Sequence, residues 1–245
     1  MQCDDLTMID RNGTVRLDNF QLQIRRGEIV GLAGVEGNGQ IELEAALSGL
    51  MQPGSGRFFV GETELTRASP AAITAAGAGI VPEDRHAVGC VPAMSLAENM
   101  FLNKLERFTR FGLLRRAPLD EAAADLMRRF DVRAAGPRIA VSSLSGGNQQ
   151  KAVLARELTL DPLVFLLAAQ PTRGLDIGAV EAVYKEIRAI AQAGVGVLLI
   201  SSDLDELLAA SDRIVVLYRG RILGEKPARV DQRETIGAMM SGHGA

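Results

Sequence analysis

The chain has 245 residues, 47% hydrophobic and 23% charged, with a formal net charge of −3; this suits one or two domains with a sizeable core and excludes a broad electrostatic pull toward nucleic acid. Cys3 and Cys90 lie far apart without Cys-x-x-Cys spacing, so they read as free thiols of a reducing compartment. No apolar run approaches the ~18–20 residues that span a bilayer and no signal peptide precedes the first apolar run, so the expectation is a cytoplasmic protein that meets a membrane only through an embedded partner.

In chain order, residues 4–25 alternate apolar and polar in two runs around Asn12-Gly13, a hairpin signal. Ile29-Val30-Gly31-Leu32-Ala33 is a continuous apolar run, as in a strand covered on both faces. Gly34-Val35-Glu36-Gly37-Asn38-Gly39-Gln40-Ile41 then forms a glycine-rich loop entering a helix. Leu43/Leu47 and Ala46/Leu50 sit at helical spacing, and Gly49 with Pro53 ends it. Strand, glycine-rich loop and helix make the frame of a phosphate-binding loop, G-x-x-x-x-G-K-[ST]. Gly34 and Gly39 fit that pattern. Gln40 stands where a lysine would neutralise the β- and γ-phosphates, and Ile41 where a hydroxyl would ligate Mg²⁺. Glu36, Glu42 and Glu44 add negative charge beside the anion site. Backbone N–H groups remain to hold a phosphate weakly. Taken alone, the stretch is equally compatible with a plain strand-turn-helix.

Residues 54–67 read as a small antiparallel piece. Gly79-Ile80-Val81-Pro82-Glu83-Asp84-Arg85 reads as a strand leading to a polar turn. Residues 92–140 change character, with helical patterns over 94–105 and 120–130. Arg107, Arg110, Arg115 and Arg116 form a basic run with Phe108 and Phe111 interleaved. That composition can serve RNA, but the chain's overall negative charge favours a solvated or partner-facing helical lobe.

Ser142-Ser143-Leu144-Ser145-Gly146-Gly147-Asn148-Gln149-Gln150-Lys151 opens a helix over roughly 148–159. Ser145 is placed as an N-cap. Gly146 and Gly147 let an anion approach the backbone, at the positive end of the helix. Residues 163–169 are a buried strand, followed by Gln170-Pro171-Thr172-Arg173-Gly174-Leu175-Asp176, in which Asp176 also reads as an Asx-type cap. A helix over 180–192, a strand over 195–200 ending in Ser201-Ser202-Asp203, a last core strand over 212–217, a turn at Gly220 and a short helix over 234–242 complete the chain. His86 and His243 lie in polar segments and read as surface residues.

Leu144-Ser145-Gly146-Gly147 with Gln149-Gln150 resembles the signature motif of ATP-binding cassette (ABC) ATPases, which closes over the γ-phosphate of ATP held by a partner domain. Pro82-Glu83-Asp84-Arg85, residues 144–151 and residues 170–179 together look like the second ATPase half of tandem importers for ribose, other simple sugars and nucleosides. Residues 168–174 resemble the nucleoside branch most. The resemblance implies an α/β fold, an ABC-type P-loop NTPase with a RecA-like parallel sheet core. It implies one nucleotide-binding domain over 1–245: a core with an antiparallel β subdomain from 1–90 and 160–245, and a helical lobe over 91–159. It assigns nucleotide contacts to the loop Gly34 to Ile41, to Glu83 (where the family carries a glutamine reaching Mg²⁺), to Ser145, Gly146, Gly147 and Gln149, and to Asp176, which communicates across a dimer. The lobe would dock a membrane subunit.

The chain departs from the family where chemistry is done. Ala169 replaces the aspartate that holds Mg²⁺, so with Ile41 both metal ligands are gone. Gln170 replaces the glutamate that polarises water, and a glutamine cannot accept its proton. Ser202 replaces the switch histidine. Met8, Ile9, Asp10 and Arg11 offer no ring to stack on adenine. With no catalytic residue intact, the expectation is a degenerate cassette: weak or no nucleotide at its own phosphate loop, little or no ATPase activity, and ATP with Mg²⁺ at a composite site with a partner cassette. That partner would be N-terminal in the same polypeptide. Membrane permease subunits and, indirectly, a solute-binding protein would complete an assembly on the inner face of the plasma membrane, with no role for nucleic acid. An active homodimeric ABC ATPase would pair an intact signature with a defective loop at both sites. A non-transport ABC protein would need a coiled-coil insert or a basic face.

Overall fold

The computed structural model describes residues 1–10 and 12–243. β1 (Gln2–Ile9) and β2 (Val15–Gln23) form the expected hairpin, with Met8 opposite Leu17 and Cys3 opposite Leu22. β3 (Ile29–Ala33) leads into α1 (Gln40–Leu47). β4 (Ser55–Val60) and β5 (Thr63–Glu64) extend the hairpin into a four-stranded antiparallel sheet, order β2-β1-β4-β5. α2 (Pro70–Ala75) and β6 (Ala78–Val81) follow. The next segment holds α3 (Leu96–Met100), the short hairpin β7 (Thr109–Arg110) and β8 (Leu113–Leu114), α4 (Arg116–Arg129) and α5 (Gly146–Leu158). β9 (Phe165–Ala169), α6 (Ile177–Gln192), β10 (Gly196–Ile200), α7 (Leu204–Ala210), β11 (Arg213–Tyr218), β12 (Arg221–Pro227) and α8 (Arg233–Met240) complete the order.

The larger sheet runs β12-β11-β3-β10-β9-β6, parallel throughout except for the β11–β12 hairpin. Its central strands are apolar at every position because both faces are covered. Val30, Leu32, Leu167, Leu198, Ile200 and Val215 point to one face, where Leu43 and Leu47 of α1 and the antiparallel sheet lie. Ala33, Leu166, Ala168, Leu199, Ile214 and Val216 point to the other, against α5, α6, α7 and α8. The strand period of two divides these residues between the two cores. A third cluster, built on Leu96, Met100, Phe101, Leu119, Val141 and Ala155, holds α3, α4 and the outer side of α5 together.

Three segments differ from the sequence reading. The helical pattern over 94–105 divides: Ser95 and Glu98 make a capping box for α3, then Phe101 leaves helical geometry and a tighter 3₁₀ turn runs over Leu102–Phe108. The buried ammonium of Lys104 donates to the Thr159 carbonyl at the end of α5, which sets the path there. The basic run over 107–116 brackets a short hairpin that the sequence reading did not assign: Arg107 lies in the 3₁₀ turn, Arg110 on β7, and Arg115 and Arg116 open α4. α5 begins at Gly146, so both glycines occupy its first turn instead of preceding it.

Candidate functional site

The glycine-rich loop leaves the carboxyl end of β3 and enters α1, the position at which parallel sheets hold ligands. Gly39 precedes α1 at φ 113 with no side-chain cap, so the first-turn amides are free of internal acceptors from a cap. Asn38 fixes the loop. Its Nδ2 donates to the Val35 carbonyl at 2.9 Å, and its Oδ1 accepts from the Arg219 amide at 2.8 Å, in the turn between β11 and β12. Gln40 folds back over the loop. Its Nε2 donates to the Val35 carbonyl at 3.2 Å, and its Oε1 is enclosed without a partner. Ile41 projects outward, 55% exposed, while Ala169 is buried at the end of β9.

Gly34, Glu36, Gly37, Gln40, Ile41, Glu83, Gln170 and Ser202 line one cleft of 340 Å³, with Thr172, Arg173, Asp203 and Glu206. Its ionisable lining is thus four carboxylates against one guanidinium, and that guanidinium is engaged: Arg173 Nη1 pairs with Glu83 Oε1 at 3.2 Å. Glu206 is the hub of the far wall. Thr172 Oγ1, Tyr184 Oη and Ser201 Oγ donate to its carboxylate at 3.0, 2.7 and 2.9 Å. Burial and the bond to Glu206 push the Tyr184 phenol well up from its ordinary value. Gln170 sits at φ 46, in left-handed backbone, with its amide donating to Ile200. Asp203 caps α7 through the amides of Asp205 and Glu206.

Two of the three acids expected beside the anion site are elsewhere. Glu42 faces Arg16 at 3.8 Å. Glu44 is buried one turn along α1, where both carboxylate oxygens accept from the Glu83 amide at 3.3 Å. Burial pushes its pKa up to about 7, and the nearby charges of Glu83 and Asp84 add to the rise. Helix geometry explains the correction: Glu44 stands one turn beyond Gln40 on α1, which carries it past the loop to the Glu83–Asp84 turn. Near the β1–β2 turn, Met8 is core and Ile9 is half exposed. Asp10 accepts from the Asn12 and Thr14 amides. Arg11 lies outside the described residues.

The signature stretch lies apart from this cleft. Ser145 caps α5, its Oγ accepting from the Asn148 amide at 3.4 Å and from Asn148 Nδ2 at 3.0 Å. A Cβ on Gly146 would lie 2.5 Å from Arg85 Nη2, and one on Gly147 would lie 3.2 Å from the Gly174 carbonyl. The two glycines therefore seat a guanidinium and a carbonyl of the same chain. Arg85 Nη1 also donates to the Arg173 carbonyl, and its Nε is enclosed without an acceptor. Gln149 is turned inward, donating to the Val141 and Leu144 carbonyls, so the structure does not bring it to the open surface. Gln150 donates to the Pro171 carbonyl at 3.0 Å and ties the signature helix to the cleft wall. A buried pair, Arg156 with Glu157 at 2.5 Å, anchors the helix in both directions: Glu157 accepts from the Ile80 amide and Arg156 donates to the Asn99 carbonyl. Asp176 caps α6 through the Ala179 amide at 2.9 Å and is exposed. His86 and His243 are both exposed. Glu206, Tyr184 and the seat of Arg85 escaped the sequence reading. The only local signal for any of them is Asp203 three residues before Glu206, a capping spacing.

A parallel sheet with a glycine loop entering α1, an antiparallel sheet laid over it, and a capped glycine-rich helix packed between the parallel sheet and α3 and α4 define the nucleotide-binding cassette class. The ATP-binding cassette MJ0796, solved as a dimer in a post-hydrolysis state with ADP and Pi, superposes with a TM-score of 0.79 at 22% identity, covering 93% of this chain and 98% of that one. The family profile "ABC transporter" matches residues 17–168. The chain belongs to the ABC transporter family, as an ATP-binding domain with the ABC ATPase fold. It is 41% identical over 244 residues to the nucleoside import ATP-binding protein NupA of Lactococcus lactis, covering 99% of this chain and 48% of that protein. It is 38% identical over 241 residues to the guanosine import ATP-binding protein NupO of Bacillus subtilis, covering 98% and 47%. It is 44% identical over 224 residues to a ribose import ATP-binding protein, RbsA 2, of Rubrobacter xylanophilus, covering 91% and 43%. The chain thus spans about half the length of the curated relatives it matches. Among the described residues no helix is long and apolar enough to cross a membrane.

Proposed function

We propose that this chain is a degenerate cassette of an importer for simple sugars or nucleosides, one that supplies a signature surface to a hydrolysing partner and does not hydrolyse ATP itself. The observation that carries this reading is the contrast between its two faces. The phosphate loop is closed by its own Gln40 side chain and opens on a cleft lined by Glu36, Glu83, Asp203 and Glu206. The signature helix is capped, rigidly anchored and accompanied by Arg85.

The residues at the loop do not fit a magnesium triphosphate. Gln40 is neutral and turned to Val35, Ile41 and Ala169 offer no oxygen to a metal, and the surrounding carboxylates repel phosphate. Gln170 and Ser202 supply neither base nor imidazole. No hydrolytic step is therefore assigned to this chain's own cleft. At the signature face the residues fit a phosphate group. The Gly146 and Gly147 amides stand at the positive end of α5, where an anion is stabilised. ATP with Mg²⁺ bound by a competent partner cassette would supply the reacting phosphate. This chain's part is to donate backbone hydrogen bonds to it and to exclude water from that side.

Relatives about twice as long leave room for that partner in the same polypeptide, and the motifs at 82–85, 144–151 and 170–179 support reading this chain as the C-terminal half. Their printed names support a nucleoside or sugar cargo. A permease, an associated solute-binding protein and a station on the inner face of the membrane complete the reading. The test is phosphate release. The isolated chain is expected at background with ATP and Mg²⁺, and Ser145→Arg is expected to abolish turnover by the joined competent cassette. Turnover by the isolated chain comparable to that of a competent cassette, or full activity with Ser145→Arg, defeats the proposal.

A further inference from the structure

The chain carries a net charge of −3, yet residues 107–119 contain four arginines and no acid. The structure concentrates them on one projection. β7 and β8 form a hairpin whose base is rooted in the lobe: Phe108 packs edge-on against Phe101 at 4.9 Å, and the Arg115 amide donates to the Phe108 carbonyl at 2.8 Å. Its tip is Phe111-Gly112, both at positive φ, 51° and 77°. Such a turn favours Asn-Gly. A phenylalanine there is a steric cost with no packing return, since Phe111 is 90% exposed and Leu113 75%. Arg110 lies 5.1 Å from the Phe111 ring centroid. Arg107, Arg110, Arg115 and Arg116 are exposed and, among the described residues, none pairs with a carboxylate.

We propose that this hairpin is a docking element for an anionic lipid surface, with Phe111 and Leu113 entering the boundary between headgroups and acyl chains and the four arginines resting on lipid phosphates. An exposed aromatic tip, with Arg110 beside it and Arg107, Arg115 and Arg116 at the hairpin's base, matches such an interface, where apolar body and charged stem are both accommodated. The chemistry separates lipid from the nearest protein alternative. Cytoplasmic loops of membrane proteins carry an excess of Lys and Arg, which would repel this hairpin, whereas anionic headgroups attract it. The proposal rests only on the chain working at a membrane. It holds whether or not the cassette is degenerate, and its readout involves no nucleotide.

The test is flotation of the purified chain with phosphatidylcholine vesicles, with and without phosphatidylglycerol. Binding is expected only with phosphatidylglycerol and is expected to weaken with salt. Each arginine near an anionic surface is worth about fivefold in binding, so Arg110→Ala with Arg115→Ala should weaken it by about 25-fold. Phe111→Ser should weaken it further with the charge unchanged. Circular dichroism melts check that these surface variants fold, and the paired change Arg221→Ala with Arg229→Ala, an equal charge loss elsewhere, should leave flotation unchanged. No flotation with the anionic vesicles, equal loss in the control pair, or retention of single-stranded RNA in place of vesicles overturns the proposal.

Discussion

Gln40 Nε2 donates to the Val35 carbonyl across the loop that both residues belong to, at 3.2 Å. The side chain that should reach outward to phosphates therefore closes the cradle on itself. Its oxygen lies enclosed without a donor, a cost that the hydrogen bond at the other end only partly offsets.

This contact predicts a gain on reversal. Gln40→Lys with Ile41→Ser restores a cation and a hydroxyl to the mouth of α1. A hydrogen bond to a charged group contributes about 1.5–3 kcal/mol, so nucleotide should bind about 10- to 100-fold tighter. Fluorescence titration with an ATP analogue measures this. Phosphate release should remain at background, because Ala169, Gln170 and Ser202 are untouched.

Gly39 is the conformational pivot of the same loop. It sits at φ 113, and a Cβ would lie 2.5 Å from the Arg16 carbonyl, backbone that cannot swing aside. Gly39→Ala should cost about 2–4 kcal/mol through strain and overpacking together, read as a lowered urea midpoint. An unchanged midpoint would mean that the loop is free to rearrange.

Glu206 should behave as a network rather than as a set of pairs. Three hydroxyls converge on its carboxylate. Glu206→Gln places an NH₂ among donors and should cost about 1–3 kcal/mol. Tyr184→Phe removes one arm. The double variant should cost less than the sum of the singles, by at least ~0.5 kcal/mol. Simple additivity in chemical denaturation would show that the carboxylate does not need the phenol.

Glu44 predicts a pH dependence with a definite sign. Its ordinary value of 4.5 is raised to about 7 in the folded chain, chiefly by burial. Between those values the folded state holds a proton that the unfolded state has lost. Glu44 therefore makes stability fall as pH rises from about 4.5 to about 7, by up to about 3 kcal/mol. In Glu44→Gln that part of the slope should vanish, and the variant should gain on the parent most clearly above pH 7. Unfolding midpoints across that range decide it. Parallel curves for the two proteins would exclude Glu44 as the titrating group.

The amino-acid sequence by itself determined the buried core strands, the two glycine-rich helix entries and the cap at Ser145, because each rests on spacing within a few residues. Ile29 to Ala33 reads as a doubly covered strand, and the absence of lysine, aspartate, glutamate and histidine at four positions is visible without coordinates. The direction of side chains was decided by tertiary structure alone. Gln40 turns inward because the Val35 carbonyl is offered there, and Glu44 is buried because α1 lies between two sheets. Arg85 rests on Gly146 across sixty residues of chain, and Glu206 gathers hydroxyls from β9's exit, α6 and β10's exit. The hairpin at Phe111 lies between the two helical patterns and left no signal of its own, since two-residue strands have too little length to show a period. Local periodicity encodes which element forms. Contacts between distant segments set where its polar atoms point, and those contacts exist only once the chain has closed on itself.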